Sequence, residues 1–487
     1  MSQSPYDNLI AGVPTELYIG GAWRPASDGA EIAVTDPATE GTITSVASAS
    51  VEDARAAVEA AAVAGPAWAA RKPRERAEIL RKAFELVIRD SDRLAKLMTL
   101  ENGKSLADSR AEVSYAAEFF RWSAEEAVRN IGQVSQAPVS GARILVQHKP
   151  AGVAVLVTPW NFPLAMATRK IGPALAAGCT VILKPASETP LTALALVPIL
   201  EAAGVPPGVV NVIPSKRSGA VVGTMLEDMR VRVISFTGST EVGRKLIEAA
   251  AHNVVKPVME LGGNAPFLVF EDADLDAAVE GAMIAKMRNM GEACTSANRF
   301  YVHEAVHDAF VEKFAAKMQA LKIGNGLEEG VAVGPLVNAE TRDKVAELVA
   351  DAVSKGSRVV TGGTAPDGKG YFYAPTVLAN VPDDARCLAE EIFGPVAPVQ
   401  TFRSEDEAVA KANATEYGLV AYLFTQDLSR GLRVSERLDF GMVGLNRGLV
   451  SDPAAPFGGM KQSGLGREGA HEGLMEFLET QYVSVTW

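Results

Sequence analysis

The chain has 487 residues, of which 48% are apolar, and a formal net charge of −12. This length is too great for a single hydrophobic core and predicts two or three domains of roughly 100–200 residues each. The negative charge argues against nucleic acid as a main partner, because phosphate binding needs a basic face, and the 3 cysteines are too few for a disulfide framework, which favours a reducing, cytoplasmic location.

The first part of the chain predicts a hairpin followed by long helices. No basic segment followed by an apolar one stands in Met1 to Asp7, so we expect no signal peptide. Residues 17–24 suggest the hairpin, and apolar residues at helical spacing predict helices near 52–70, 73–100 and 106–130. Nowhere is an apolar stretch long and uncharged enough to cross a bilayer, so we expect no membrane partner.

From Val153 onward, short apolar segments alternate with helical ones. The first block has predicted strands at Val153–Val157, Thr180–Leu183, Val209–Ile213 and Arg232–Phe236, with helices from Pro163, from Pro190, near 218–227 and from Thr240. The second block has strands at Phe267–Phe270 and Phe300–Val302, helices at 274–290, 305–321 and 340–355, and further strands to about residue 446. Continuous strands of Val, Ile and Leu alternating with helices predict an α/β fold with parallel sheets buried on both faces.

The residues from Gln481 to Trp487 predict an apolar strand after the last helix. A strand whose edge stays unpaired exposes its backbone hydrogen-bonding groups to other chains. We therefore expect this strand to pair with the segment Ala142–His148 or with another subunit.

Cys294 is the candidate nucleophile. Its neighbours in Gly-Glu-Ala-Cys-Thr-Ser are small or polar, which is unusual for a cysteine that serves only as a small buried apolar residue. Glu260 is the candidate general base, because it stands just before Gly262 and Gly263, where the backbone turns sharply or is approached closely. A thiolate and a carboxylate on facing loops suit covalent catalysis assisted by a general base.

Three polar segments follow predicted strands, at the edge where open α/β sheets bind ligands. Lys184 ends one strand, directly before a proline. Asn161, between two prolines, carries an amide suited to donate to a developing oxyanion. The segment Ser235–Gly243 predicts a strand, a turn and a helix start, which favours phosphate, although the usual Gly-x-Gly-x-x-Gly fingerprint is absent. A solvated lysine, a turn asparagine and an ordinary helix cap are the alternatives.

A zinc protease is the alternative from a different class, because His303-Glu304-x-x-His307 matches the His-Glu-x-x-His motif. That motif requires both histidines on one helix, whereas the residues leading to His303 predict a strand. We therefore expect no metal site. A thiol protease built on Cys294 would need a partner histidine, and no histidine of the chain stands in a supporting motif.

Taken with these residues, the chain resembles the aldehyde dehydrogenase superfamily over nearly its whole length. The resemblance rests on separate motifs in the expected order: Pro-Trp-Asn-Phe-Pro (159–163), Lys-Pro-Ala-Ser (184–187), Phe-Thr-Gly-Ser-Thr (236–240), Glu-Leu-Gly-Gly-Asn (260–264), Gly-Glu-Ala-Cys (291–294), Glu-Ile-Phe-Gly-Pro (391–395) and Pro-Phe-Gly-Gly (456–459). Each motif alone is weak, and all of them in order are highly specific. A noncatalytic member, such as a lens-type structural protein, would be expected to lack Cys294 or Glu260, and both are present.

The resemblance implies a role for each matching residue. It implies that Cys294 is the nucleophile, that Glu260 activates water to hydrolyse the thioester, and that Asn161 and the backbone amide of Cys294 donate to the oxyanion. The residues implied to hold the cofactor are Trp160, Lys184, Ser187, Gly238, Ser239, Leu261 and Glu391. Because relatives that pass the acyl group to coenzyme A lack the glutamate, Glu260 favours release of a free acid.

Position 187 bears on the choice between NADP and NAD. Relatives that prefer NAD often carry Glu there, whose carboxylate accepts hydrogen bonds from the ribose hydroxyls and would repel a 2′-phosphate. Ser187, with Lys184 three positions earlier, tolerates or attracts that phosphate. We therefore expect NADP to be favoured, with NAD as the alternative.

Within the superfamily the chain most resembles succinate-semialdehyde dehydrogenases. The resemblance assigns Arg169, Arg288 and Ser451 to the distal carboxylate of the substrate, which a guanidinium can hold through two hydrogen bonds. Arg288 stands on the helix predicted to lead into the loop of Cys294. A structural ion pair is the alternative for each arginine. Glutarate and 2-oxoglutarate semialdehydes are alternative substrates, because they too carry a distal acid.

The resemblance also implies the domain organisation. A Rossmann-type NAD(P)-binding domain would comprise residues 1–131 and 150–259, and an α/β catalytic domain residues 260–455. A small β arm for oligomerisation would comprise residues 132–149 and 470–487. The expected assembly is a homodimer or a homotetramer, and the expected partner is a small aldehyde with a distal carboxylate.

Overall fold

The computed structural model describes residues 6–486, whose strands form one sheet of eight, one of seven, one of three and one antiparallel pair. These sheets and the helices packed on them confirm the predicted α/β fold. The expectation about a signal peptide concerns Met1 to Asp7, of which Met1–Pro5 lie outside the described residues, as does Trp487. Within residues 6–486, no helix is long and apolar enough to span a bilayer.

The secondary-structure elements alternate along most of the chain. The strands are β1 (Leu17–Ile19), β2 (Ala22–Arg24), β3 (Glu31–Thr35), β4 (Thr42–Ala47), β5 (Gln133–Gln136), β6 (Arg143–Pro150), β7 (Val153–Val157), β8 (Thr180–Lys184), β9 (Val210–Val212), β10 (Val231–Thr237), β11 (Lys256–Glu260), β12 (Ala265–Val269), β13 (Ala297–His303), β14 (Arg358–Thr361), β15 (Thr376–Ala379), β16 (Val396–Phe402), β17 (Val420–Phe424), β18 (Met442–Leu445), β19 (Gly464–Leu465) and β20 (Leu478–Val485). The α-helices are α1 (Asp7–Ile10), α2 (Val51–Ala69), α3 (Pro73–Arg89), α4 (Ser91–Asn102), α5 (Leu106–Ala127), α6 (Ala165–Ala177), α7 (Pro190–Ala203), α8 (Ser218–Leu226), α9 (Thr240–Ala251), α10 (Leu275–Met287), α11 (His307–Gln319), α12 (Ala339–Ser354), α13 (Arg386–Ala389), α14 (Glu405–Asn413), α15 (Leu428–Arg437) and α16 (Glu472–Met475). Short 3₁₀ turns cover Arg288–Gly291 and Lys461–Ser463.

The predicted N-terminal hairpin is confirmed as β1 and β2. The prediction of one continuous helix over 73–100 is wrong, because the structure has two helices there, α3 and α4. Asp90 separates α3 from α4 with φ −94° and ψ 14°, outside helical geometry. Its carbonyl oxygen accepts from the amide of Leu94 at 3.0 Å, so a new helix begins at once. Because α3 and α4 both bury apolar side chains, the apolar spacing continues through the break and hides it in the sequence.

The eight-stranded sheet has the order β19-β11-β10-β7-β8-β9-β1-β2. Its five central strands are parallel, which confirms the first predicted block. Strands β7 and β8 are buried throughout, so helices cover both of their faces. The carboxyl ends of β7, β8, β10 and β11 bring four polar segments to one edge of this sheet.

The seven-stranded sheet has the order β14-β15-β16-β13-β12-β17-β18, and only β14 runs antiparallel to its neighbour. Strand β11, which ends at Glu260, belongs to the eight-stranded sheet, whereas β12, which begins at Ala265, belongs to the seven-stranded sheet. The loop that connects the two sheets therefore starts at the candidate general base. Strand β19 later returns to pair with β11 in the first sheet.

A separate three-stranded sheet contains β20, β6 and β5. Strand β20 pairs antiparallel with β6 over its full length, from Leu478 opposite Pro150 to Val485 opposite Arg143. The predicted pairing of the C-terminal strand with the segment Ala142–His148 is thereby confirmed for the described residues. Most side chains of β20 and all of those of β5 are exposed.

The two histidines of the zinc-protease match do not share a helix. His303 is the last residue of β13, and His307 is the first residue of α11. The geometry that the motif requires is therefore not present, as the strand pattern before His303 predicts. Among residues 6–486, no cluster of three or more potential metal ligands is found.

Candidate active site

Cys294 is carried by a short loop between α10 and β13. The loop begins with three consecutive residues in left-handed backbone conformation: Asn289, Met290 and Gly291, with φ of 50°, 56° and 81°. A β-carbon at Gly291 would lie 2.2 Å from the carbonyl oxygen of Gly394, so only glycine fits. Strained residues of this kind persist where the surrounding structure enforces them, often at functional sites. The packing around this loop therefore fixes the position of the thiol.

A cavity of about 380 Å³ opens at Cys294 and gathers most of the predicted catalytic and cofactor residues. The predicted residues in its wall are Trp160, Asn161, Gly238, Ser239, Leu261, Glu391 and Cys294 itself. Three others lie outside that wall: Lys184, Ser187 and Glu260. The remaining wall residues were not predicted as site residues: Pro159, Phe162, Met166, Thr237, Gly262, Glu340, Thr341, Lys344 and Phe393.

The surroundings of Cys294 favour the protonated thiol over the thiolate. Burial is the largest effect that raises its pKa, to about 12, and Glu260 and Glu391 act in the same direction. The guanidinium groups of Arg169 and Arg288 act against it. A thiolate nucleophile therefore requires a base, or a change of these surroundings when ligands bind.

Glu260 ends β11 with a buried carboxyl group that, among the described residues, has no hydrogen-bond partner on either oxygen. Burial, followed by the nearby Glu468, raises its pKa well above the usual value, and Arg169 and Lys170 oppose that rise. The carboxyl group lies against Gly458, where a β-carbon would be 2.9 Å from Oε1. In this position the carboxyl group is not part of the wall of the thiol cavity.

A buried ionic cluster next to Glu260 was missed in the sequence. Lys170 donates to Glu468 Oε1 at 2.5 Å and to Ser235 Oγ at 2.8 Å, and Arg169 NH1 lies 3.4 Å from Glu468 Oε2. Burial alone would raise the pKa of Glu468, but Lys170 and Arg169 lower it below its usual value. The adjacent cations Arg169 and Lys170 in an otherwise apolar helix were the available signal, because buried charges require partners.

The side-chain amide of Asn161 is fixed beside the nucleophile loop. Its Nδ2 donates to the carbonyl oxygen of Glu292 at 2.9 Å, and its second N–H remains for another acceptor. The backbone carbonyl oxygen of Asn161 accepts from Lys104 Nζ at 2.6 Å and from Asn289 Nδ2 at 2.8 Å. Neither Lys104 nor Asn289 was predicted, because local sequence does not show which distant carbonyl a side chain reaches. An amide held in this way suits oxyanion stabilisation.

Another part of the cavity wall has groups suited to a phosphate and a ribose. Gly238 and Ser239 lie just before α9, and the Ser239 hydroxyl accepts from the amide of Val242 at 3.4 Å. The N-terminal amides of this helix favour phosphate. Glu391 Oε1 accepts from the amide of Gly263 at 3.1 Å, and burial raises the pKa of Glu391 to about 7. A carboxylate there suits the hydroxyls of a ribose.

Two aromatic rings narrow the same cavity. The rings of Trp160 and Phe393 meet edge to face with centres 5.3 Å apart. Phe393 has a left-handed φ of 55°, which turns the chain directly after Glu391. Phe393 belongs to a motif that the sequence analysis used only for Glu391, so its place in the wall was missed.

Lys184 and Ser187 lie outside the thiol cavity. At the end of β8, burial lowers the pKa of Lys184 to about 8, and Glu188 opposes that shift. Ser187 lines a separate cavity of about 200 Å³ with Glu188 and Lys216. The Ser187 hydroxyl donates to Glu188 Oε2 at 3.1 Å. Glu188 was overlooked in the sequence although it adjoins the residue expected to meet a 2′-phosphate.

Arg288 lies in the wall of a second cavity, of about 1000 Å³, together with Phe162. Its predicted place on a helix through residue 290 is wrong, because α10 ends at Met287 and the 3₁₀ turn follows. The ψ angle of 123° at Arg288 breaks the helix. Its NH1 donates to Ser451 Oγ at 3.2 Å. In the described part of the chain, no carboxylate lies within 4.0 Å of its guanidinium.

Arg169, in contrast, is buried and already has protein partners. Besides its contact with Glu468, its NH2 donates to the hydroxyl of Tyr115, and its guanidinium carbon lies 4.1 Å from the centre of the Phe457 ring. Its Nε is buried without a partner among the described residues. The structural ion pair considered as an alternative is therefore present at Arg169 and has no counterpart at Arg288.

Comparison with known proteins identifies the family. Residues 23–483 match the family model described as aldehyde dehydrogenase family. A succinate-semialdehyde dehydrogenase of Paenarthrobacter nicotinovorans is 57% identical over 443 residues, covering 91% of this chain and 98% of that protein. A glutarate-semialdehyde dehydrogenase of Pseudomonas putida is 50% identical over 471 residues, covering 97% of this chain and 98% of that protein. The crystal structure of an E. coli NADP-dependent enzyme is 49% identical and superposes with a TM-score of 0.96 over 99% of each chain.

The chain therefore belongs to the aldehyde dehydrogenase family. It is an NAD(P)-dependent oxidoreductase that oxidises aldehydes.

Proposed function

We propose that this aldehyde dehydrogenase oxidises succinic semialdehyde to succinate and favours NADP. The observation that carries the substrate assignment is Arg288, a half-buried guanidinium with a hydroxyl partner and, within residues 6–486, no carboxylate within 4.0 Å. A partly desolvated arginine without an anionic partner favours an anionic ligand. The distal carboxylate of a semialdehyde supplies that anion while its aldehyde group approaches Cys294.

In the first half of the reaction, the Cys294 thiolate attacks the aldehyde carbon and forms a thiohemiacetal. The negative charge that develops on the former carbonyl oxygen is stabilised by the free N–H of the Asn161 side chain and by the backbone N–H of Cys294. NAD(P), which Gly238, Ser239 and Glu391 would hold in the same cavity, would supply the acceptor for the hydride that this carbon loses. The acyl group is then held on Cys294 as a thioester.

In the second half, Glu260 activates a water molecule that hydrolyses the thioester. Its raised pKa suits it to take up a proton. The pair Lys170 and Glu468 adjoins Glu260 and adjusts its proton affinity through opposite charges. Hydrolysis returns the thiol of Cys294 and releases the free acid.

The preference for NADP rests on Ser187 and Lys184. Lys184 is the last residue of β8 and Ser187 follows it, at a strand end where a cation and a hydroxyl suit a 2′-phosphate. Glu188 acts against this preference, because its carboxylate lies 3.1 Å from the Ser187 hydroxyl. The similar E. coli enzyme is described as NADP-dependent, which supports NADP.

Glutaric semialdehyde is the second candidate substrate. The cavity of about 1000 Å³ that contains Arg288 leaves space for a longer chain. A relative of 50% identity acts on glutarate semialdehyde according to its name. 2-Oxoglutarate semialdehyde carries the same distal acid and remains a further alternative.

We also propose that the chain assembles as a homodimer or homotetramer through residues 132–149 and 470–487. The three-stranded sheet exposes apolar side chains, among them Val134 at 72% and Tyr482 at 59% of their surface. Exposed apolar strands favour contact with a second copy. The domain boundaries and the cytoplasmic location stay predictions.

The decisive experiment is a panel of kcat/KM values for succinic, glutaric and 2-oxoglutaric semialdehydes and for butanal, each with NADP and with NAD. The proposal expects the highest value for succinic semialdehyde with NADP. A value for butanal equal to that for succinic semialdehyde would contradict a carboxylate pocket. A higher value for glutaric semialdehyde would make the second candidate the substrate.

A further inference from the structure

Tyr115, on α5, contacts both arginines of the proposed carboxylate pocket. Its hydroxyl accepts a hydrogen bond from NH2 of Arg169, whose guanidinium carbon lies 5.5 Å from the centre of the Tyr115 ring. The guanidinium carbon of Arg288 lies 5.4 Å from the same ring centre. A cation within about 6 Å of an aromatic ring centre is attracted to it when it lies over the ring face. One tyrosine therefore joins a guanidinium from α6 to one from the nucleophile loop.

The hydroxyl of Tyr115 has a proton without a protein acceptor. A tyrosine hydroxyl is one donor and also an acceptor, and Arg169 occupies the acceptor side. Across residues 6–486, no oxygen or nitrogen accepts the proton in return. Tyr115 is half-buried, and a partly buried donor is unfavourable unless water or a ligand accepts its hydrogen bond.

Arg169 is poorly placed to bind a carboxylate by itself. Its NH1 faces Glu468, which also pairs with Lys170, and its NH2 is bonded to Tyr115. Both terminal nitrogens of Arg169 therefore already have a protein partner. A hydroxyl that accepts from a cation is polarised and becomes a better donor, because neighbouring hydrogen bonds strengthen one another.

We propose that Tyr115 is a third substrate-binding group, which donates its hydroxyl proton to the distal carboxylate while Arg288 and Ser451 bind the same group from the other side. Arg169 then acts through Tyr115 as a positioning residue. A carboxylate accepts several hydrogen bonds at once, so three donors and one direct cation match its two oxygens. This proposal rests on the proposed function, since it needs a substrate with a distal acid.

The charges of the cluster agree with this assignment. Glu468 is shared between Arg169 and Lys170, and Arg288 has no carboxylate within 4.0 Å in the described chain. Among the described residues, Glu468 is the one carboxylate within 4.0 Å of Arg169, Lys170 or Arg288, so positive charge is in excess at that range, and Asp108 acts on Arg288 from farther away. An incoming carboxylate reduces that excess, whereas an uncharged aldehyde leaves it unchanged.

The test is Tyr115→Phe, which keeps the ring beside both guanidinium groups and removes only the hydroxyl. We expect kcat/KM for succinic semialdehyde to fall on the order of tenfold, the usual effect of losing a hydrogen bond to a charged group. The loss should appear mainly in KM. For butanal, kcat/KM should change little, and inhibition by succinate should weaken by the same factor as KM rises.

Phe119→Leu is the matched control. The Phe119 ring centre lies 5.1 Å from the guanidinium carbon of Arg169 and 4.8 Å from the Tyr115 ring centre, and Phe119 has no hydroxyl, so its replacement removes ring contacts but no hydrogen bond. Phe119→Leu should change kcat/KM for succinic semialdehyde and for butanal by the same factor. An equal loss for both aldehydes in Tyr115→Phe, or no loss for either, would overturn the assignment of Tyr115. A wild-type protein without preference for succinic semialdehyde over butanal would instead contradict the proposed function, independently of the variant.

Discussion

Asn289 Nδ2 lies 2.8 Å from the carbonyl oxygen of Asn161 and thereby joins the nucleophile loop to the loop that carries the oxyanion donor. The same Nδ2 lies 3.0 Å from the carbonyl oxygen of Glu292, to which Asn161 Nδ2 also donates at 2.9 Å. One amide thus fixes both loops in a single network. Asparagine suits this place because it tolerates the left-handed φ of 50° better than most residues.

The first prediction concerns this network. Asn289→Asp keeps the size of the side chain but replaces a donor by an oxygen that faces two carbonyl oxygens. We expect kcat to fall by about 10–100-fold with little change in KM, because a misplaced oxyanion donor weakens transition-state binding more than substrate binding. Steady-state kinetics measure the split between kcat and KM.

Asn380→Asp is the control for this prediction. Asn380 also has a left-handed φ, of 55°, and is exposed. It lies outside both cavities that contain the proposed site residues. Its kinetics should match the wild type, and an unchanged kcat in Asn289→Asp would contradict the role of the network.

The second prediction concerns Glu260. The pKa of Glu260 is raised by burial and by Glu468, and only its carboxylate form can take a proton from water. Turnover limited by hydrolysis should therefore rise with pH as the proton leaves. Glu260→Gln should give a rapid burst of reduced nicotinamide, then a slow steady state with this pH dependence removed. Stopped-flow absorbance follows both phases, and full steady-state turnover in the variant would rule out the assigned role.

The third prediction concerns the cofactor. Ser187→Glu adds a carboxylate where Ser187 now donates to Glu188, and Glu188→Gln removes the carboxylate that is already there. The first variant should raise KM for NADP on the order of tenfold more than KM for NAD, because like charges repel. The second variant should shift the preference toward NADP. If neither variant changes KM for NADP, these positions do not face the 2′-phosphate.

The catalytic candidates could be named from sequence because each adjoins a strong local feature. Asn161 lies between prolines, Glu260 lies just before a pair of glycines, and Cys294 lies among small polar residues. Strands β7 and β8 were predictable because they are apolar without interruption. Local features of this kind do not depend on the rest of the fold.

The supporting residues could not be predicted in this way. Tyr115 reaches Arg169 across 54 positions, and Lys170 reaches Glu468 across 298. Their roles exist only once α5, α6 and the segment after β19 have packed together. The pair β3 and β4 was missed for a related reason, since short strands with mixed exposure carry a weak pattern.

The last prediction concerns the substrate pocket. Arg288→Ala should lower kcat/KM for succinic semialdehyde by roughly ten- to a hundredfold, since a hydrogen bond to a charged group contributes about 1.5–3 kcal/mol. The kcat/KM for butanal should change little, because butanal never makes that contact.

The variant Arg169→Ala is expected to differ, because it removes a buried partner of Glu468. It should lower the melting temperature and reduce kcat/KM for both aldehydes. Kinetics with both aldehydes and thermal unfolding of both variants separate these effects. Equal losses for both aldehydes in Arg288→Ala would mean that Arg288 supports the nucleophile loop, and the carboxylate pocket would fall with that result.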